Sequence, residues 1–310
     1  MSDKEMRAVF AETLIELASK DKNIVLLEAD LAKSSGTLSF KKQFPDRFFD
    51  VGVAEANMVG ISAGLSVTGK IPIASTFACF ASRRAYDQFF ISCNYAKLNV
   101  KLVGSDPGVT AAFNGGTHMP FEDIALMRVI PDLIVFEPCD TVSLKKLLLQ
   151  SISHKGCTYM RLHRKSTPVI YNENQDFELG KGVVLKEGKD VTIVTCGAIC
   201  VNEALKAAQS LEKEGITPTI IDMHTIKPID KQLLVKFAKK SKLIVTFENH
   251  QIINGLGSAV TEVLSYEYPI KVVRVGVEDM FGEVGTVDYL KKRFGICAEN
   301  LAEKIKQNYR

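Results

Sequence analysis

Runs of apolar and β-branched residues alternate along the chain with longer stretches in which apolar positions recur at helical spacing. The short runs predict buried strands, and the longer stretches predict helices that pack against them. The predicted strands of the first half are Asn23–Leu27, Phe48–Gly52, Ile71–Ser75, Val100–Gly104, Leu133–Phe136 and Thr158–Leu162. The helical stretches are Lys4–Ser19, Ala54–Thr68, Arg83–Tyr95, Phe121–Arg128 and Thr141–His154. This alternation predicts an α/β fold with a mainly parallel sheet covered by helices.

A polar stretch, Tyr171–Asp176, interrupts the alternation, which then resumes on a smaller scale. Such a break is typical of a domain boundary. We therefore divide the chain into a first domain over residues 1–170, a linker over 171–180 and a second α/β domain over 181–310. The strands predicted in the second domain are Val191–Thr195, Thr217–Asp222, Leu243–Phe247 and Lys271–Val275, and the helices are Val201–Glu214, Lys231–Lys239 and Ser258–Tyr266.

Composition and charge argue against several classes of partner. The formal net charge of the 310 residues is +3, with Lys and Arg spread along the chain, so nothing favours nucleic acid or a membrane surface. No apolar run is long enough to cross a bilayer, and the polar N-terminus lacks an apolar signal core. Seven cysteines without CxxC spacing predict reduced, packed thiols in a cytoplasmic protein, rather than a disulfide framework or a metal site.

Acidic and aromatic residues follow several of the predicted strands. In open α/β sheets, ligands gather at the carboxyl ends of the strands, so these residues are the first candidates for a site. Glu55 follows one strand and begins a helix rich in small residues, while Phe77 and Phe80 follow the next strand. From the residues alone, Glu55 is better explained as a carboxylate favoured by the helix dipole, and the two phenylalanines are equally well explained as core residues.

Longer segments around these residues resemble the motifs of thiamine-diphosphate enzymes in the transketolase and deoxyxylulose-phosphate synthase group. They occur in the family's order and cover nearly the whole chain. The segments are FFDVGVAEANMVGISAGL at 48–65, GKIPIASTFACF at 69–80, RAYDQ at 84–88, GTHMPFED at 116–123, LMRVIP at 126–131 and TIKPID at 225–230. The resemblance implies two open, mainly parallel sheets covered by helices, a transketolase pyrimidine-binding domain followed by a transketolase C-terminal domain.

The same resemblance implies how the chain binds a cofactor. Glu55 would hydrogen-bond N1′ of the aminopyrimidine of thiamine diphosphate and favour the tautomer that removes the C2 proton, and Phe77 and Phe80 would stack on the ring. The family holds the diphosphate and Mg²⁺ through a Gly-Asp-Gly motif, which these 310 residues do not contain. We therefore expect no metal ligand in this chain. We expect a partner, an N-terminal transketolase subunit that holds the diphosphate and Mg²⁺, in an assembly with two copies of each chain.

Substrate positions are implied in the same way. Arg7, Ser34 and Arg164 would bind the distal anionic group of a sugar, for which forked guanidinium donors are suited. His118 would contact the substrate near its reacting carbonyl and hydroxyls, as both a catalytic and a substrate-binding residue. Taken singly, each of these is equally a surface charge, a cap or a loop residue.

Two predicted substrate-binding positions depart from the family's pattern. Asp106 stands where transketolases usually have a second substrate histidine, and Asn114 stands where an aspartate normally receives a donor hydroxyl. In addition, Arg83 stands where many transketolases have a third aromatic residue. These departures imply a donor other than the common sugar phosphates, such as a branched sugar phosphate or a sulfonated fructose.

The predicted activity is transfer of a two-carbon ketol unit from an anionic ketose to an aldose. One alternative is the β subunit of a 2-oxo-acid dehydrogenase, which has the same two-domain layout and also needs a partner. The other is a non-catalytic scaffold subunit that kept the fold and lost the chemistry. In the second domain, the segment Glu248-Asn249-His250 is predicted to form a capping turn, with an interface or effector site as the alternative reading.

Overall fold

The computed structural model describes residues 4–309, which form two compact units. The first unit contains the residues up to Pro107 together with Leu126–Leu179. The second unit contains Gly108–Ala125 together with the residues from Gly180 onwards. The segment 108–125 therefore belongs by its contacts to the second unit, although it lies within the first half of the sequence.

The strands of the first unit are parallel and almost entirely buried. They are β1 (Ile24–Glu28), β2 (Phe48–Asp50), β3 (Ile71–Phe77), β4 (Lys101–Ser105), β5 (Ile134–Phe136) and β6 (Thr158–Leu162). They neighbour one another in the order β5-β6-β4-β3-β1-β2. Every position of β1, β4 and β6 is buried, because helices cover both faces of a parallel sheet.

Four of the five helices predicted in the first half of the sequence agree closely with the structure. The observed helices are α1 (Met6–Lys20), α2 (Ala32–Ser35), α3 (Leu38–Gln43), α4 (Glu55–Val67), α5 (Tyr86–Gln88), α6 (Asp123–Arg128) and α7 (Thr141–Ser153). The two short helices α2 and α3 were not predicted. The single helix predicted over Arg83–Tyr95 is instead a short α5 between π-helical turns at Phe80–Arg84 and Phe89–Tyr95. A π-turn accommodates extra residues in a helix and is frequent near functional sites.

The second unit is built around a smaller sheet. The strands of that sheet are β7 (Val183–Lys186), β8 (Val191–Thr195), β9 (Pro218–Asp222), β11 (Leu243–Gln251) and β12 (Val272–Val277), and the short strand β10 (Thr225–Lys227) is not part of it. Its helices are α8 (Gly197–Lys213), α9 (Lys231–Ala238), α10 (Leu256–Glu267), α11 (Val287–Arg293) and α12 (Ala298–Asn308). The sheet order is β12-β11-β8-β9-β7, parallel except for β7 against β9. The prediction of mainly parallel sheets covered by helices is therefore confirmed.

Two further sequence-based expectations can be compared with the structure. All seven cysteines are buried thiols, in agreement with the prediction that they are packed rather than bridged. Between residues 4 and 309, no helix is both long and apolar enough to cross a membrane.

Candidate active site

Glu55 is the first residue of α4 and is only 1% exposed. Both of its carboxylate oxygens accept hydrogen bonds from Nη1 of Arg84, at 3.0 and 2.9 Å. Its position at a helix N-terminus is favourable for a negative charge, as the simpler interpretation of the sequence expected. The arginine contact shows that this carboxylate also faces a specific side chain, so a helix-dipole role alone does not describe it.

Arg84 brings Glu55 together with the two predicted aromatic residues. Cζ of Arg84 lies 4.1 Å from the ring centroid of Phe80, and the rings of Phe80 and Phe77 are 6.1 Å apart. One guanidinium therefore contacts the carboxylate and an aromatic face at the same time. Sequence analysis noted Arg84 only as part of the RAYDQ segment.

Arg164 continues this set of contacts on the other side of Phe77. Its Cζ lies 5.2 Å from the Phe77 ring centroid, and its Nε donates to Oδ1 of Asp106 at 2.7 Å. Nη2 of Arg164 forms a second ion-pair contact with Oδ2 of Asp106. Asp106 directly follows β4, is buried and has a left-handed backbone conformation (φ 55°). Burial raises the pKa of Asp106, while the charge of Arg164 opposes that shift.

The predicted anion-binding residues also lie together. Nη1 of Arg7 donates to the carbonyl oxygen of Ser34 at 2.9 Å, and Nη1 of Arg164 contacts the same oxygen at 3.4 Å. Arg7 is held from its other edge by Glu5, whose carboxylate also pairs with Lys165 at 3.2 Å. Both guanidinium groups thus contact the carbonyl oxygen of Ser34, and each is also paired with a carboxylate.

A further carboxyl group, not singled out from the sequence, lies beneath this region. Glu28 ends β1, is fully buried and accepts hydrogen bonds from the hydroxyls of Thr37 (2.8 Å) and Ser35 (3.3 Å). Burial raises its pKa to about 8, so the group is mostly protonated at neutral pH. Because Ser35 follows Ser34 in α2, these hydrogen bonds hold the segment that supplies the shared carbonyl oxygen.

The remaining two predicted site residues lie in the second unit. Asn114 is exposed at the end of a 3-10 helical segment, Gly108–Asn114. His118 is half-buried at the end of the next one, Gly116–His118, and its Nδ1 lies 2.9 Å from Oγ1 of Thr117. Seven of the nine predicted site residues therefore lie in the first unit, and Asn114 and His118 lie in the second unit.

The residues around Glu55 fit one end of thiamine diphosphate. An aminopyrimidine ring is planar and needs a hydrogen-bond partner on its edge and an aromatic face for stacking. In this structure the planar guanidinium of Arg84 makes contacts of both kinds, with Glu55 and with Phe80. Within residues 4–309, no group of three or more His, Cys, Asp or Glu side chains could hold a metal ion.

The contact between Arg84 and Glu55 leads to a prediction about stability. Arg84→Ala leaves a carboxylate that is 1% exposed without its ion-pair partner. We expect the free energy of unfolding to fall by about 1–3 kcal/mol, toward the lower end because the Arg84 side chain is 46% exposed. In a Glu55→Gln background the same substitution should cost less, because no buried charge remains. Urea unfolding of the four chains of this double-mutant cycle measures the difference, and an equal cost in both backgrounds would contradict it.

Comparison with known proteins supports the fold and identifies the family. Residues 2–169 match the transketolase pyrimidine-binding domain, and residues 180–301 match the transketolase C-terminal domain. The chain belongs to the transketolase family, whose members are transferases. The resemblance inferred from the sequence motifs is thereby confirmed.

Relatives of similar length are subunits or sections of transketolases. The chain is 48% identical over 296 residues to the 6-deoxy-6-sulfo-D-fructose transketolase subunit SqwH of Clostridium sp. (strain MSTE9), covering 96% of this chain and 92% of that protein. It is 45% identical over 306 residues to a putative transketolase C-terminal section of Methanocaldococcus jannaschii, covering 97% and 95%. A solved split-gene transketolase, an inactive β4 tetramer, has a TM-score of 0.91 and 45% identity, covering 98% of this chain and 97% of that one.

Proposed function

We propose that this chain is the subunit of a split, thiamine-diphosphate-dependent transketolase that binds the aminopyrimidine end of the cofactor and part of the substrate. The reaction transfers a two-carbon ketol unit from an anionic ketose to an aldose. The observation that carries this proposal is one continuous set of contacts in the first unit, which runs from Glu55 through Arg84, Phe80 and Phe77 to Arg164.

The residues of this chain have separate parts in that reaction. Bound thiamine diphosphate supplies a nucleophilic carbon that carries the two-carbon unit from donor to acceptor. Glu55 would hold the edge of the aminopyrimidine and exchange a proton with it, in a position from which water is excluded. Phe77 and Phe80 would hold the ring by stacking. Arg7 and Arg164 would orient the sugar by its distal anion.

A partner subunit would complete the site. A diphosphate needs a metal ion and oriented donors, and the Gly-Asp-Gly segment that supplies them in this family does not occur in the sequence. We infer an N-terminal transketolase subunit that binds the diphosphate and Mg²⁺, with two copies of each chain. The β4 tetramer of the related split-gene transketolase is described as inactive, which supports this inference. The proposed compartment is the cytoplasm, supported by the seven buried thiols.

The charges around Ser34 favour a donor with a single negative charge on its distal group. Three cations, Arg7, Arg164 and Lys165, are paired with two carboxylates, Glu5 and Asp106. The formal charge of this cluster is therefore +1. A sulfonate carries one negative charge, whereas a phosphate monoester carries about −1.5 to −2 at neutral pH. This balance, and the name of the Clostridium relative, support a sulfonated ketose as the preferred donor.

Asp106 provides the test of donor preference. We expect the reconstituted wild-type enzyme to have a higher kcat/KM for 6-deoxy-6-sulfofructose than for fructose 6-phosphate or xylulose 5-phosphate. Asp106→Asn removes one negative charge while keeping a residue type that tolerates the left-handed backbone. The substitution should shift the ratio about tenfold toward the phosphates, because the dianion then meets less repulsion. Asp106→His, the usual residue of the family, should shift it in the same direction.

A matched control is available on α1. Glu16 is a carboxylate paired with Lys20 and Lys145, away from the Ser34 cluster, and Glu16→Gln should leave the donor ratio unchanged. If the wild type already favours the common phosphates and neither Asp106 variant changes the ratio, the proposed donor class is wrong.

A further inference from the structure

The loop that presents Asn114 and His118 belongs physically to the second unit. The whole segment 108–125 clusters with residues from Gly180 onwards. Its apolar residues Val109 and Phe121 are part of the hydrophobic core of that unit, where the ring of Phe121 lies 5.1 Å from the ring of Phe294. The position of the loop is therefore determined by the C-terminal domain.

The end of β11 holds both ends of this segment. Oδ1 of Asn249 accepts a hydrogen bond from the amide of Val109 (3.0 Å). Nε2 of His250 accepts one from the amide of Ala125 (3.3 Å). The amide of Gln251 donates to the carbonyl oxygen of Phe121 (2.9 Å). Asn249 and His250 are 3% and 0% exposed, so water cannot replace the bonds that their side chains make.

The three residues of the predicted capping turn thus have different roles. Glu248 accepts hydrogen bonds from the amides of Leu256 (2.6 Å) and Gly257 (2.8 Å) at the start of α10, which confirms the capping prediction for this residue. Asn249 and His250 point to the segment 108–125 instead, a function that the sequence analysis did not identify.

The tip of the loop rests on a second element of the same unit. A Cβ atom on Gly116 would lie 2.2 Å from the carbonyl oxygen of Gly282, and a Cβ on Gly282 would lie 2.8 Å from the side chain of Met119. The two backbones therefore touch, which only glycine permits at this distance. His118 follows this contact by two residues along the chain, so its location depends on the contact.

The loop itself is not in a relaxed conformation. Ala112 has φ 48° and ψ −118°, outside the regions that residues with a side chain normally adopt. A bond between the amide of Gly108 and the carbonyl of Pro120 (3.2 Å) closes the loop at its base. Strained backbone of this kind persists only where the surrounding structure holds it, and it is concentrated at functional sites.

We propose that Asn249, His250 and Gly282 are positioning residues for the donor sugar, and that the C-terminal domain serves to hold the loop that presents Asn114 and His118. This inference rests on the proposed transketolase function. It assigns the second unit a direct part in substrate recognition, separate from the cofactor contacts of Glu55 and Phe77 in the first unit.

The first test uses the isolated full chain and needs no activity. In Asn249→Ala, the amide of Val109 loses its acceptor, and we expect hydrogen–deuterium exchange over residues 108–125 to accelerate about tenfold or more. The control is Thr192→Ala, which removes a buried side-chain hydrogen bond with Oγ of Ser241 (2.7 Å) near the start of β8, at the opposite end of the same sheet from the loop. Exchange over 108–125 that is the same in the two variants would overturn the proposal.

The second test uses the chain reconstituted with the N-terminal subunit, with 6-deoxy-6-sulfofructose and fructose 6-phosphate as donors. Asn249→Ala and Gly282→Ala should each raise the donor KM about tenfold, because a small displacement of a positioning group has a large effect. Thiamine diphosphate affinity, measured by calorimetry, should not change. Donor KM values equal to those of Thr192→Ala would show that the loop is held but does not position the donor, which overturns the inference. Absence of turnover in the wild-type complex would instead refute the proposed function, and the exchange experiment would still decide whether Asn249 holds the loop.

Discussion

Glu55→Gln is expected to lower turnover of the reconstituted enzyme by about 10²–10⁴-fold, the usual cost of losing one positioned acid/base group. Glutamine has nearly the same shape, so it keeps the packing at the start of α4, where the side chain is 1% exposed. It cannot exchange a proton as a carboxyl group does. The same variant should slow exchange of the C2 proton of bound thiamine diphosphate, which NMR measures independently of any sugar.

The control for this substitution is Glu203→Gln. Glu203 is also a buried, ion-paired carboxylate, bonded to Lys206 (2.9 Å) and Lys291 (3.1 Å), but it lies in α8 of the second unit. We expect turnover and C2–H exchange close to wild type in this variant, and circular dichroism should show both variants folded. Near-normal exchange in Glu55→Gln would mean that another carboxylate has the role assigned to Glu55.

The second large effect concerns the partner subunit. The purified chain alone should show no measurable turnover and only weak binding of thiamine diphosphate, and both should appear on mixing with the N-terminal subunit. The physical reason is that a diphosphate is held by a metal ion and oriented donors. Among residues 4–309, no cluster of potential metal ligands provides such a site. Turnover assays and calorimetry with and without Mg²⁺ measure both changes, and light scattering measures the expected two copies of each chain.

Two controls show whether the activity of the mixture depends on the site in this chain and on Mg²⁺. Mixing the partner with the Glu55→Gln chain should assemble normally and remain nearly inactive, which shows that the activity depends on the site in this chain. Chelation of Mg²⁺ in the active mixture should abolish cofactor binding. Robust turnover by the single chain, purified free of any partner, would refute the split-enzyme proposal.

The hydrophobic pattern by itself determined the strands that are buried on both faces. The bounds of β6 (Thr158–Leu162) and β8 (Val191–Thr195) agree with the predicted runs, because each is a short segment rich in apolar, aromatic and β-branched residues. The short strands β7 and β10 were missed. All four positions of β7 are only half-buried, so its sequence carries no strong burial signal.

The local sequence also placed Glu55 at the start of a helix and Phe77 near the end of a strand, since both belong to motifs of adjacent residues. It could not pair them with their partners. Glu55 binds an arginine 29 residues away, and the carboxylate of Asp106 binds one 58 residues away. Periodicity reports that a side chain is buried or charged, but which opposite charge it meets depends on how the strands are ordered in the sheet.

The segment 108–125 shows most clearly what the sequence alone could not predict. Its sequence position, between β4 and β5, assigned it to the first domain. The tertiary structure buries its apolar residues in the core of the second unit and ties Val109 to Asn249, 140 residues away. A hydrophobic pattern specifies that a segment needs a core, while long-range packing and hydrogen bonding decide which core it joins. The sequence therefore determined the fold class, and only the tertiary structure decided which compact unit carries His118.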